Sequence, residues 1–210
     1  LFRQWFVEGT NTTESNYKLK DFVDSANTGL DAIRRAPIVE YETGIKCLRI
    51  QDVSQKKPLH KWGYSLVTDN NFLRFQLKRD DIIMARTCSP GINYFVREDL
   101  PSVFNNGLVR IRANKSKVYP ILLFYLFKTR EFIGHIAGIS GGTSVQLNMQ
   151  IGDLLDYDIS FPSIEVQNEI IESFNLFDDK IFQNNVQIRT LTQRRDTLFP
   201  KLMSGEVRVK

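Results

Sequence analysis

Apolar and polar positions along the chain fall into two regimes that meet at Pro162. Before it, apolar residues come in short clusters separated by turn signals such as Ser89-Pro90-Gly91 and Asn105-Asn106-Gly107. Four clusters predict strands: Ile45–Ile50, Asp81–Arg86, Ile92–Arg97 and Gly107–Arg112. Alternation in the last puts Arg110 and Arg112 on one face and turns Leu108, Val109 and Ile111 mostly toward a core. A helix is predicted from Val118 to about Ile136, with Pro120 tolerated in its first turn. A glycine-rich stretch, Gly138–Ser144, then leads into Val145–Asn148, and a short strand, Tyr157–Phe161, closes on Pro162.

After Pro162 helix-forming sequence runs almost unbroken to Met203, with Gly205 as the expected C-cap and a break expected near Leu176–Asp178. A heptad can be written from Phe174. Its core positions hold Phe174, Phe177, Ile181, Asn184, Ile188, Leu191, Arg195, Leu198 and Leu202, seven of the nine apolar. Asn184 and Arg195 are the polar exceptions, of the kind that fix register at some cost in stability. The expected fold class is therefore α+β: a mixed β-sheet domain with packed helices, followed by a long coiled-coil-forming α-helix. The expected division is a helix end and linker over 1–16, a globular domain over 17–163 and a helical region over 164–210. Leu198–Met203 echoes Leu1–Phe6, each reading as a helix end just before a glycine, so the chain reads as one unit of a two-unit design.

Composition, 42% hydrophobic and 25% charged, supports a packed core. The net charge of +4 matters through its distribution. The segment from Ser163 holds seven acids and seven bases, leaving 21 of the 28 bases and 17 of the 24 acids to the first 162 residues. A basic globular part with a neutral helical tail fits a polyanion partner for the former and a protein partner for the latter. Cys47 and Cys88 form no CxxC pair, and with only His60 and His135 no zinc site of the usual spacing can be assembled. No cofactor is expected. The apolar run Ile121–Phe127 is too short to span a bilayer, no signal peptide is visible, and a cytoplasmic protein without membrane partners is expected.

The end of the globular part carries a recognisable series: Ser140-Gly141-Gly142-Thr143-Ser144, then Asp158–Pro162, then the Gln-containing Ile164–Ile171. Phe177–Ile181, Leu191, Arg194–Phe199 and Ser204–Val207 follow; earlier stand Lys18–Phe22 and Ile82–Arg86. In these segments the chain resembles the specificity subunits of type I restriction–modification enzymes, in which each target-recognition domain is followed by a spacer helix. The likeness is specific in the last third of the chain and loose from Thr28 to Pro120. A full subunit has two recognition domains and this chain has one, so the resemblance implies a half-subunit or a fragment.

The resemblance implies a non-catalytic reader of double-stranded DNA that recognises one half of a bipartite site. It implies docking to the modification (methyltransferase) and restriction subunits. It also implies an antiparallel homodimer, or pairing with a second recognition half, through the heptad residues. Lys and Arg would neutralise phosphates, while Arg, Asn and Gln match the edges of guanine and adenine. The candidate DNA contacts are Arg34, Arg35, Arg49, Gln51, Lys56, Lys57, Lys61, Arg86, Thr87 and Arg97, with Ser140, Gly141, Gly142, Thr143, Gln146 and Asn148 on the glycine-rich edge. Phe177 to Ser204 as a helix would span ~42 Å, about 12 base pairs. No cofactor-binding glycine loop or Asn-Pro-Pro-aromatic motif is present, and Asp178 and Asp179, adjacent on a helix, diverge too far to share a metal. The alternatives are a fragment of a stand-alone DNA methyltransferase or nuclease, and a coiled-coil adaptor with no DNA role.

Overall fold

Three sheets organise the first unit of the computed structural model, which describes residues 17–141, 148–159 and 161–206. One four-stranded sheet is antiparallel throughout, in the order β2 (Val23–Thr28), β9 (Leu108–Ala113), β6 (Ile82–Ala85), β7 (Asn93–Phe95). The other runs β3 (Ile38–Val39), β5 (Gly63–Ser65), β4 (Lys46–Leu48), β8 (Ser102–Phe104), with β4 and β8 parallel. A two-stranded ribbon pairs β1 (Tyr17–Lys18) with β10 (Asp158–Ile159). Cys47, Leu48, Val103 and Phe104 of one large sheet share a buried cluster with Ile83, Ala85 and Leu108 of the other, so the core lies where the two sheets meet.

Among the described residues five α-helices, α1 (Ile50–Ser54), α2 (Asp69–Phe75), α3 (Pro120–Leu126), α4 (Arg130–Ile139) and α5 (Ile151–Leu155), join two 3-10 helices, Leu19–Phe22 and Leu59–Lys61, in this unit. The fold class is as expected, but several elements differ from the sequence reading. The helix predicted over Val118–Ile136 is two helices. The Thr129 hydroxyl accepts from the Phe132 N–H at 3.3 Å and starts α4, while the Thr129 N–H closes the preceding turn on the Leu126 carbonyl at 2.9 Å. The strand predicted over Ile45–Ile50 stops at Leu48, because Asp52 accepts from the Arg49 N–H at 3.1 Å and opens α1. Strands β1, β2, β3, β5 and β8 escaped prediction; β2 reads Val-Asp-Ser-Ala-Asn-Thr and lacks the apolar alternation that marks a strand.

Arg110 departs most from expectation. It shares a sheet face with Arg112, as the alternation requires, yet it is buried. Its guanidinium caps the end of α2 by donating to the Gln76 carbonyl at 3.1 Å and the Arg74 carbonyl at 3.3 Å, and it lies 5.3 Å from the Phe104 ring. Buried Asp81 accepts two hydrogen bonds from Arg112, at 2.6 and 3.2 Å, and one from the Lys78 N–H. Its other neighbour is Arg110 Nε at 4.0 Å. Burial pulls the Arg110 pKa down and Asp81 opposes that; the Asp81 hydrogen bond raises that of Arg112.

The second unit is dominated by α6 (Ile164–Met203), 40 residues and therefore about 60 Å long. It is continuous through Leu176–Asp178, where a break was expected. Gly205, at a φ of +72°, ends it as predicted, its N–H bonding to the Leu202 carbonyl. Thr190, Thr197 and Asn185 satisfy their side-chain donors on carbonyls four residues back, which keeps these polar groups on the helix itself. The expected helix end at Leu1–Phe6 lies outside the described residues.

Replacing Asp81 by Ala would leave Arg110 buried without a counter-charge. The expected loss is about 3–5 kcal/mol of folding stability, measured by urea denaturation; an unchanged midpoint would show that the three side chains do not act together.

Candidate nucleic-acid interface

Strands β2, β4, β6 and β8 all end at the same edge of the first unit, where β9 begins. Backbone hydrogen bonds stitch these ends together. The Leu30 N–H donates to the Phe104 carbonyl at 2.8 Å, and the Asn106 N–H returns a bond to Leu30 at 2.9 Å. The Asn105 N–H donates to Leu48 at 3.1 Å and the Arg86 N–H to Gly107 at 3.0 Å. Two glycines permit the approach. A Cβ at Gly29 would stand 2.2 Å from the Phe104 carbonyl oxygen, and one at Gly107 would stand 2.6 Å from Ile50. The loops leaving this edge carry most of the candidate residues.

Arg86, Thr87, Gly141 and Asn148 come together directly. Asn148 forms isolated bridges with both Thr87 and Gly141, and the Met149 N–H donates to the Arg86 carbonyl at 2.8 Å. Arg86 Nη2 donates to Asn148 Oδ1 at 2.9 Å, and Arg86 Nε to the Met149 carbonyl at 3.4 Å. Ser140 ends α4, its hydroxyl donating to the Ile136 carbonyl at 2.6 Å. A Cβ at Gly141 would meet nothing within 4 Å among the described residues. Gly142, Thr143 and Gln146 lie outside the described residues.

The remaining candidates divide by their ties. Arg34 and Arg35 follow Leu30 in an exposed turn shaped by Asp31, whose carboxylate accepts from the Arg34 and Ile33 N–H groups; those bonds hold its pKa below the usual carboxylate value. Arg35 donates to Asn71 at 2.9 Å and lies 5.3 Å from the Phe75 ring. Arg49 and Lys57 both reach buried Asp52, at 3.3 and 3.1 Å, so these two cations brace α1. Gln51, Lys56 and Lys61 are exposed. Arg97 follows β7, which runs antiparallel to β6, so it sits at the opposite end of that sheet from Arg86, with its guanidinium 6.0 Å from the Phe95 ring.

Two residues at this edge escaped the sequence reading. Asn105 and Asn106 occupy the turn that joins β8 to β9, in the middle of the stitched strand ends. Asn106 is exposed, and the buried Asn105 Oδ1 has no hydrogen-bond partner among the described residues. The Asn-Asn-Gly sequence marked a turn, but nothing in it signalled which loops would be its neighbours.

Along α6 the heptad positions Phe177, Ile181, Asn184, Ile188, Leu191, Arg195, Leu198 and Leu202 are exposed, with Leu191 retaining 62% of its accessible surface. Phe174 is buried and stands apart from this exposed seam. Arg195 pairs with Asp196 through bonds of 2.6 and 2.8 Å. Among the described residues no group of His, Cys, Asp and Glu is placed to hold a metal ion, and no helix is long and apolar enough to cross a membrane.

Residues 13–193 match the model of the type I restriction modification DNA specificity domain, and the chain belongs to that family. A type I restriction–modification S subunit from M. genitalium has a similar structure, at 17% identity and a TM-score of 0.63 over 93% of this chain and 47% of that one. The HsdS subunit from Thermoanaerobacter tengcongensis matches at 13% identity and a TM-score of 0.57 over 86% of this chain and 42% of its own. A chain from a structural study of complex assembly and conformational transition in the type I R-M system also matches, at 13% identity and a TM-score of 0.57 over 95% of this chain and 46% of that one. This chain thus spans less than half the length of these structural relatives. A search of curated protein sequences returns no match. The family accords with the expected role as the non-catalytic recognition component of an enzyme complex.

Gly29→Ala must push the β2–β8 junction apart at backbone, which no rotamer change can relieve. The expected cost is about 1–3 kcal/mol in thermal or chemical denaturation, with Gly141→Ala, which meets open space, as the neutral comparison.

Proposed function

We propose that this chain reads one half of a bipartite double-stranded DNA site with the stitched strand-end edge, and that α6 both spaces it from a second recognition half and docks the modification and restriction subunits. Methyl transfer and cleavage would belong to those subunits. The observation that carries this reading is the convergence of Arg86, Thr87, Gly141 and Asn148, beside the loops of Arg34, Arg35 and Gln51, at one edge of a DNA-specificity domain. Lys56, Lys61 and Arg34 are exposed cations suited to phosphate, whereas Arg49 and Lys57 act mainly by holding the α1 loop in place. The exposed heptad seam of α6 supports pairing with a second such helix, antiparallel in a homodimer or within a two-domain assembly.

The native protein supplies its own reporter. Cys88 is exposed next to Thr87, while burial pushes the Cys47 thiol up to about 12 and leaves it protonated near neutral pH. Duplex DNA is expected to slow alkylation of Cys88, read by mass spectrometry. Gel-shift affinity should fall steeply with salt and drop on Arg86→Ala. Cys88 labelling that is indifferent to DNA, together with no mobility shift, would favour the adaptor reading.

Spacing has its own test. Removing one heptad from α6 shortens it by ~10 Å, about three base pairs, and the gap between half-sites mapped by methylation sequencing with the modification subunit should shrink accordingly. A constant gap would refute a spacer role.

A further inference from the structure

We infer that Arg86 and Asn148 form a single donor-rich reading head for a guanine edge; this rests on the DNA-reading proposal above and deepens it. Arginine has no acceptor, so the 2.9 Å contact from Arg86 Nη2 can only meet the amide oxygen of Asn148. That fixes the amide's orientation by chemistry and turns its Nδ2 hydrogens away from Arg86. Arg86 is in turn held by Nε on the Met149 carbonyl. Its Nη1 hydrogens and the second Nη2 hydrogen are not used by any described residue, and no carboxylate among the described residues pairs with it. The pair therefore presents an outward row of N–H donors, with one lone pair of the amide oxygen engaged by Arg86.

Backbone holds this row in place. The Asn148 N–H bonds to the Gly141 carbonyl at 3.3 Å and the Met149 N–H to the Arg86 carbonyl at 2.8 Å, so both side chains spring from hydrogen-bonded backbone. Pre-positioned donors lose little further freedom on binding. In the major groove only guanine offers two adjacent acceptors, O6 and N7, on one base; adenine and cytosine each present a donor there that would face the row. A phosphate would also accept these bonds. It gains chiefly from charge, however, which the exposed Arg34, Lys56 and Lys61 supply more freely, and the neutral Asn148 amide adds direction and no charge.

The test is selection of duplexes from a randomised pool by the full chain, comparing wild type with Arg86→Ala and Asn148→Asp, with thermal melting to confirm that each variant folds. Asn148→Asp keeps an oxygen for Arg86 but replaces the outward donors with a carboxylate oxygen that repels guanine. Selective flattening of one guanine position, by about ten-fold or more, with the rest of the motif retained in both variants, is the expected result. Uniform weakening across all sequences would make Arg86 a phosphate contact and overturn the assignment while leaving DNA reading intact. An unchanged motif would overturn it too. Failure of the wild-type chain to enrich any sequence would overturn the broader reading and this one with it.

Discussion

The close approach of strand ends at Gly29 and Gly107 is the constraint on which the rest of this molecule depends. At Gly29 backbone meets backbone at a distance no side chain would allow, at Gly107 the Ile50 side chain fills the space a Cβ would need, and backbone hydrogen bonds tie the loops after β2, β4, β6 and β8 to one edge. Without that convergence Arg86 and Asn148, 62 residues apart in sequence, would have no reason to meet. The core beneath serves the same end: apolar residues of both large sheets pack into one cluster, fixing the sheets against each other and thereby the height of each loop at their common edge.

How much of this was legible in the sequence depended on how local the signal was. Strands β6 and β9 and helix α6 announce themselves through apolar runs or periodicity, because burial selects those patterns directly. Strand β2 does not, since most of its residues are polar and its place is set by pairing with β9 across a long stretch of chain. The split between α3 and α4 turned on one hydroxyl, Thr129, whose capping bond outweighs the continuous helical periodicity around it.

The candidate site shows the same limit. Residue type singled out Arg86, Thr87 and Asn148 as suited to DNA, but not that they touch. Arg49 and Lys57 looked equally suited; buried Asp52 claims them both, and a charge partner of that kind is invisible until the chain is folded. Arg97 fell among the candidates because it ends a strand, yet an antiparallel neighbour sends that end away from the others. Arg110, placed with Arg112 on one face by its alternation, is buried and closes the last turn of α2.

At the stitched edge most ties between loops run through peptide groups, while the side chains at Gln51, Asn106 and Arg34 are exposed. Scaffold and vocabulary are thereby separated. On the proposed DNA-reading role, exchanging those few outward residues would alter which letters are spelled while leaving in place the peptide bonds that hold the page on which they are written.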